Sequence, residues 1–131
     1  MTEFRYKRIV QFAETDAAGI VHFSWYLRYM EEAEHAMWRS AGLSVAPAGS
    51  TIGFPRVAAS VEFHAPLRFE DEIETLVRVE TLGRRSIKYS YTITRGDTKI
   101  ATGTMTAVCV RTHPAPMQAI DLPEEIASKL R

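Results

Sequence analysis

The chain has a single cysteine, Cys109, among its 131 residues, so no disulfide can form within it. Set in a run of threonine, alanine and valine that reads as strand, this thiol is expected to be an inert, partly buried small hydrophobe. Charge of one sign is also missing, since sixteen basic residues balance sixteen acidic ones. That excludes a broad basic face for nucleic acid, and any anionic ligand must be met by a local cluster. No stretch approaches the roughly 20 consecutive apolar residues that span a bilayer, so no membrane association is expected. His22, His35, His64 and His113 show no paired metal-ligand spacing, and no metal is expected. The opening Met1-Thr2-Glu3-Phe4-Arg5 lacks the apolar core and cleavage site of a secretory signal, which points to the cytoplasm.

What is present is the composition of an ordinary globular protein, 46% hydrophobic and 24% charged, with a length that suits one domain over residues 1–131. Phe4, Tyr6, Val10 and Phe12 share one parity while Arg5, Lys7 and Gln11 share the other, which predicts a strand over 4–12 that Arg8 and Ile9 interrupt. From 24 to 41 the period changes: Leu27, Met30, Ala33, Met37 and Ala41 recur at three- and four-residue steps. This predicts a helix of about 27 Å, with Ser24 as its side-chain cap and Gly42 as its stop. Trp25, Tyr26, Tyr29 and Trp38 widen its apolar face, so it is expected to be wrapped by other elements. Residues 43–55 read as a loop. Four strands follow, over 56–64, 72–82, 87–94 and 100–110, and short turns between them predict an antiparallel meander. A last short helix is expected over 122–130, capped by Asp121.

The stretch between the first strand and the helix holds the candidate chemistry. Asp16, among Thr15, Ala17 and Gly19, has the composition of an ordinary turn in which a carboxylate bonds nearby backbone donors. The alternative is a site. Acyl transfer needs an ionised nucleophile or base beside donors for a developing oxyanion. An aspartate is ionised at neutral pH, and the unpaired N–H groups at a helix start supply such donors.

Thr15-Asp16-Ala17-Ala18-Gly19-Ile20-Val21-His22-Phe23, then Tyr26-Leu27 and Glu31-Glu32-Ala33, resembles the hotdog-fold acyl-CoA thioesterases of the 4-hydroxybenzoyl-CoA thioesterase type. Element order and length carry the resemblance over nearly the whole chain. It implies an α+β fold in which an antiparallel five-stranded sheet wraps around one long central helix. It implies hydrolysis of an acyl-CoA thioester to a carboxylic acid and free coenzyme A, with Asp16 as nucleophile or general base. By the same resemblance, the Phe23 backbone N–H polarises the thioester carbonyl, and Gly19, Val21, His22 and Tyr26 meet the substrate. Arg84, Arg85 and Ser86 fall where the family contacts coenzyme A, against the plainer reading of a solvated turn; Arg56 and Lys88 are lesser candidates for the same anion. No cofactor is implied beyond the coenzyme A of the substrate. The family pairs subunits around shared sites, so a homodimer is the minimum and a dimer of dimers is expected, in keeping with the open edges of a single sheet.

His22 stands where the family often has an aromatic residue, and Trp25 where a small or polar one is frequent, which unsettles the acyl group. His22 either lines the acyl pocket or is a satisfied structural histidine. A related branch uses a helix glutamate instead; Glu31, Glu32 and Glu34 are present but are expected to be exposed charges, with Glu31 and His35 spaced as a helix-face pair. Two other functions stay open on the sequence: hydration or dehydration of a hydroxyacyl thioester, and non-catalytic thioester binding.

Overall fold

The computed structural model describes residues 2–131. The first strand, β1 (Glu3–Ile9), turns Phe4, Tyr6 and Arg8 inward and Glu3, Arg5, Lys7 and Ile9 outward. It stops short of the expected position 12, because Phe12–Glu14 form a 3-10 turn whose Glu14 carboxylate accepts the Gln11 N–H at 2.8 Å. Phe12 is consequently 73% exposed rather than part of an inward row. The helix α1 (Trp25–Ser40) ends as its sequence demands. Gly42 has φ +78°, its N–H bonds to Arg39 O, and the Leu43 N–H reaches back to Trp38 O. This pattern uses the left-handed conformation that glycine adopts without strain. The expected Ser24 side-chain cap is not formed: Ser24 is already helical in backbone conformation, and its own N–H donates to His22 Nδ1 at 3.2 Å.

The remaining strands are β2 (Ile52–Gly53), β3 (Arg56–Phe63), β4 (Glu72–Leu82), β5 (Ser86–Arg95), β6 (Thr98–Val108), β7 (Val110–Arg111) and β8 (Gln118–Ala119), followed by α2 (Glu124–Leu130). The main sheet is five-stranded and antiparallel in the order β1-β4-β5-β6-β3. Only β4, β5 and β6 form the expected meander. β3 lies beyond β6 at the far edge, so the chain passes β6 and β5 between β3 and β4. The loop predicted over 43–55 contains β2, which joins β7 and β8 in a small second sheet. Asp121 does not cap α2; its carboxylate is drawn instead to Arg85 at 2.9 Å.

The concave side of the sheet holds α1. Tyr26, Tyr29, Met30, Ala33, Met37 and Trp38 pack against the inward rows Ile73-Val77-Val79 of β4, Ile87-Tyr89-Tyr91-Ile93 of β5 and Ala101-Met105-Ala107 of β6. Full burial of each large apolar side chain contributes roughly 1.5–3 kcal/mol, so this helix–sheet layer dominates the core. Cys109 is fully buried, and burial pushes its thiol pKa up, as suits an inert group. At the β3 edge the cover gives out: Phe63, opposite the inward-facing Ala101, is 53% exposed, and Val57, at the bulge between Arg56 and Ala58, is 63% exposed.

Gly103, on β6, shows how closely the layers meet. A Cβ there would lie 2.6 Å from Ser60 O of the neighbouring strand and 2.9 Å from Met30 Sδ on the helix. Because the first obstacle is backbone, Gly103→Ala should destabilise the fold by about 1–3 kcal/mol, read as an earlier thermal unfolding midpoint. A midpoint equal to that of the natural chain would show that β6 is less tightly apposed to β3 and α1.

Candidate active site

Between β1 and α1 the chain makes a narrow hairpin-like loop. At its base the His22 N–H donates to Glu14 O at 2.9 Å, and Thr15 and Val21 form an isolated antiparallel bridge. Nearer the tip the Asp16 N–H donates to Ile20 O and the Gly19 N–H to Asp16 O, both at 2.9 Å. Asp16 and Gly19 thus take the first and last places of a tight turn, and Gly19 has φ +78°, which a side chain would strain. Asp16 Oδ1 accepts the Ala18 N–H at 2.8 Å, the local bond that the turn reading predicted. Oδ2 has no hydrogen-bond partner among the described residues.

The loop opens onto a cleft of about 480 Å³ lined by Asp16, Ile20, Val21, Phe23, Tyr26, Phe63, His64, Ala65 and Pro66. The walls are largely apolar and aromatic, with Tyr26 and Phe63 edge to face at 4.9 Å. Tyr26 is buried, which raises its hydroxyl pKa, and the nearby Asp16 carboxylate raises it further against the opposing effect of the Leu67 backbone. Phe23 has an exposed ring, and its backbone N–H, two residues before the start of α1, has no partner among the described residues. An anionic oxygen placed there would find a donor together with the positive end of the helix.

Of the residues singled out by sequence, Asp16, Val21, Phe23 and Tyr26 share this cleft. Gly19 shapes the turn behind it. His22 does not line it: Nδ1 faces Ser24 Oγ at 2.8 Å, and the ring stacks on Phe23 at 4.5 Å. Arg84, Arg85 and Ser86 lie at the β4–β5 turn, away from the cleft lining; both arginines reach Asp121, at 3.3 and 2.9 Å, with side chains 74% and 50% exposed. Arg56 is committed elsewhere, to Glu34 at 2.7 Å. His64, to which the sequence gave no role beyond the absence of metal-ligand spacing, lines the cleft with Nε2 at 3.3 Å from Thr102 Oγ1. No cluster of histidine, cysteine, aspartate or glutamate among the described residues could hold a metal ion.

The helix carboxylates divide. Glu31 is exposed, and no bond joins it to His35 among the described residues. Glu32 is half-buried and pairs with Arg8; burial raises its carboxyl pKa against the opposing charge of Arg8. Glu34, expected to be exposed, is 1% exposed, because Arg56 and the Tyr91 hydroxyl, at 2.7 and 2.8 Å, replace its hydration. Burial and the Glu34 charge push the Tyr91 pKa strongly upward, so the hydroxyl stays a donor.

The arrangement is that of a hotdog-fold thioesterase: a long helix enclosed by a five-stranded antiparallel sheet, with a carboxylate turn opening beside the start of the helix. Residues 10–130 match the model of the Thioesterase-like superfamily, and the chain belongs to that family. It is 27% identical over 135 residues to a 1,4-dihydroxy-2-naphthoyl-CoA hydrolase of Synechococcus elongatus, covering 100% of this chain and 97% of that one. A hypothetical protein from Aquifex aeolicus superposes with a TM-score of 0.91 at 32% identity, over 98% of this chain and 99% of that one. A gentisyl-coenzyme A thioesterase superposes with a TM-score of 0.87 at 27% identity, over 97% and 99%. The chain is thus a thioester hydrolase. No helix among the described residues is long and apolar enough to cross a membrane.

Because Glu34 is held by the core rather than presented to the cleft, Glu34→Ala should act on stability. Removing one partner of a buried ion pair costs about 3–5 kcal/mol, and the lower end applies because the Arg56 side chain is 24% exposed. Chemical denaturation measures the loss, while thioester hydrolysis per folded molecule should be retained; a folded but inactive variant would move the chemistry to the helix.

Proposed function

We propose that the chain hydrolyses the coenzyme A thioester of a hydroxylated aromatic acid, with Asp16 as nucleophile or general base and the Phe23 N–H as oxyanion donor. The observation that carries this reading is the pairing, in one apolar cleft, of a carboxylate oxygen and a backbone N–H before the helix start that both lack a partner among the described residues. Asp16 either attacks the carbonyl carbon or takes a proton from the water that does. Direct attack breaks the carbon–sulfur bond and leaves an acyl–Asp16 anhydride, which water then cleaves to release the acid and regenerate the carboxylate. In the general-base route water itself displaces the sulfur, and in both the departing thiolate takes up a proton. Water is the one co-reactant, and coenzyme A enters as part of the substrate.

The acyl class is supported by the aromatic walls, Phe23, Tyr26 and Phe63, and by His64 as a polar group among them. It agrees with the dihydroxynaphthoyl and gentisyl esters in the names of the relatives. Hydration chemistry has less support, since His64 meets a threonine hydroxyl rather than a carboxylate. We assign Arg84, Arg85 and Ser86 to the phosphates of coenzyme A: the arginines are exposed at a turn, and their forked donors can exchange Asp121 for phosphate oxygens. The open edge and uncovered apolar row of β3 support a homodimer joined there, paired again into a tetramer. Pools of coenzyme A esters make the cytoplasm the proposed compartment.

Asp16→Asn should lower hydrolysis of 1,4-dihydroxy-2-naphthoyl-CoA or gentisyl-CoA, followed by release of free thiol, by about 10²–10⁴-fold with unchanged unfolding. Glu32→Gln should stay within a few-fold of the natural chain. Full activity of Asp16→Asn would defeat the assignment. Arg84→Ala combined with Arg85→Ala should raise KM with little change in kcat, the mark of lost ground-state binding; an unchanged KM would remove these arginines from the coenzyme A site.

A further inference from the structure

Two residues before Asp16 lies a carboxylate that the reaction does not use and the fold encloses. Glu14 is 5% exposed. Its Oε2 takes Arg8 Nη2 at 2.7 Å, while its Oε1 takes both the Tyr29 hydroxyl at 2.7 Å and the Gln11 N–H at 2.8 Å. Arg8 in turn donates to both oxygens of Glu32 and lies over the Tyr29 ring, 4.5 Å from its centre. Burial and the Glu14 carboxylate push the Tyr29 pKa well up, which keeps that hydroxyl a donor. One carboxylate therefore ties β1, through Arg8, to the second turn of α1, through Tyr29.

The same residue closes the Asp16 loop. The Glu14 carbonyl accepts the His22 N–H at 2.9 Å, at the base of the hairpin-like loop described above. His22 immediately precedes Phe23. The two arms leaving this base carry the two reacting groups: Asp16 is two residues along one arm, and the Phe23 N–H is the next donor along the other. Anchoring Glu14 to the core thus fixes the point from which both are projected. A network of this kind stabilises only when every member is satisfied, and here each oxygen of the buried carboxylate has a donor.

We propose that Glu14 is a positioning residue for hydrolysis: its clamped carboxylate fixes the base of the Asp16 loop and hence the placement of the Asp16 carboxylate against the Phe23 N–H. This rests on the assignment of those two groups made above. A displacement near 1 Å can cost about 10²-fold in rate without loss of substrate affinity.

The test compares Glu14→Gln, Tyr29→Phe, Glu32→Gln and Asp16→Asn in steady-state hydrolysis of 1,4-dihydroxy-2-naphthoyl-CoA and gentisyl-CoA, with folded fraction and amide hydrogen exchange measured alongside. Glu14→Gln keeps the shape but loses the charge that holds Arg8, so kcat per folded molecule should fall about 10–10²-fold while KM stays within about twofold. Tyr29→Phe removes one donor and should give a smaller loss of the same kind; it carries the test should Glu14→Gln fail to fold. Glu32→Gln touches Arg8 from outside and should remain near the natural rate. Exchange at the His22 amide should accelerate in Glu14→Gln and Tyr29→Phe. Natural kcat in folded Glu14→Gln, or in folded Tyr29→Phe where only that variant folds, would overturn the proposal while leaving Asp16 in place. A raised KM with natural kcat would do the same. Full activity of Asp16→Asn would instead overturn the site assignment, and this proposal with it.

Discussion

Because α1 is enclosed by the sheet along most of its length, every polar group it turns inward has to find its partner inside the protein. Tyr29 and Glu34 are two such groups, and the placement of the surrounding chain answers to them. Glu34 draws Arg56 from the start of β3 and the Tyr91 hydroxyl from the middle of β5. Tyr29 draws the Glu14 carboxylate, which brings Arg8 of β1 with it. An unpaired buried charge costs several kcal/mol, so each network closes around one arrangement of strands and helix rather than tolerating several. The apolar contacts would let α1 slide or rotate at modest cost; these polar contacts fix its register. The start of α1, with its unpartnered N–H at Phe23, is thereby set relative to the loop that carries Asp16.

The parts of this architecture that the sequence made legible are those governed by neighbours. The two-residue period of β4 and β5, the three- and four-residue period of α1, and the Gly42 stop are local facts, and the structure keeps them. The Asp16 turn is local too: the Asp16 to Gly19 bond and the left-handed glycine follow from four adjacent residues. The hidden parts depend on partners distant in sequence. Glu34 looks like a solvated helix charge until Arg56, 22 residues on, and Tyr91, 57 residues on, are brought to it. The edge position of β3 was likewise invisible, since a strand bound for the far side of a sheet has the same alternation as one bound for its sequence neighbour.

One misfit did carry information. Arg8 falls on the inward parity of β1 and, as a charged residue there, interrupts the apolar pattern of the sequence. In the structure its side chain is 13% exposed, inward as the parity requires, and Ile9 is the outward residue. An arginine at a core-facing strand position calls for a buried anion, and the nearest acidic residue in the following turn is Glu14. Read that way, the interruption already pointed to the network at the base of the loop. The Ser24 cap failed for the opposite reason: a serine before a helix is a strong local signal, but here His22 occupies the accepting role and Ser24 becomes the donor.

The uncovered end of the sheet and the cleft are parts of one problem. Phe63 belongs both to the exposed concave row of β3 and to the wall of the cleft, where it packs edge to face on Tyr26. Water therefore reaches the cleft along the same apolar row that leaves the β3 edge unfinished. Whatever covers that row removes solvent from around the Asp16 carboxylate and the Phe23 N–H, and interactions between charges and dipoles strengthen as water leaves. In the dimer proposed through β3, the contact that satisfies the strand edge is also the contact that dries the site. Assembly and catalysis then share a surface, so a change on β3 far from Asp16 in sequence would register in both.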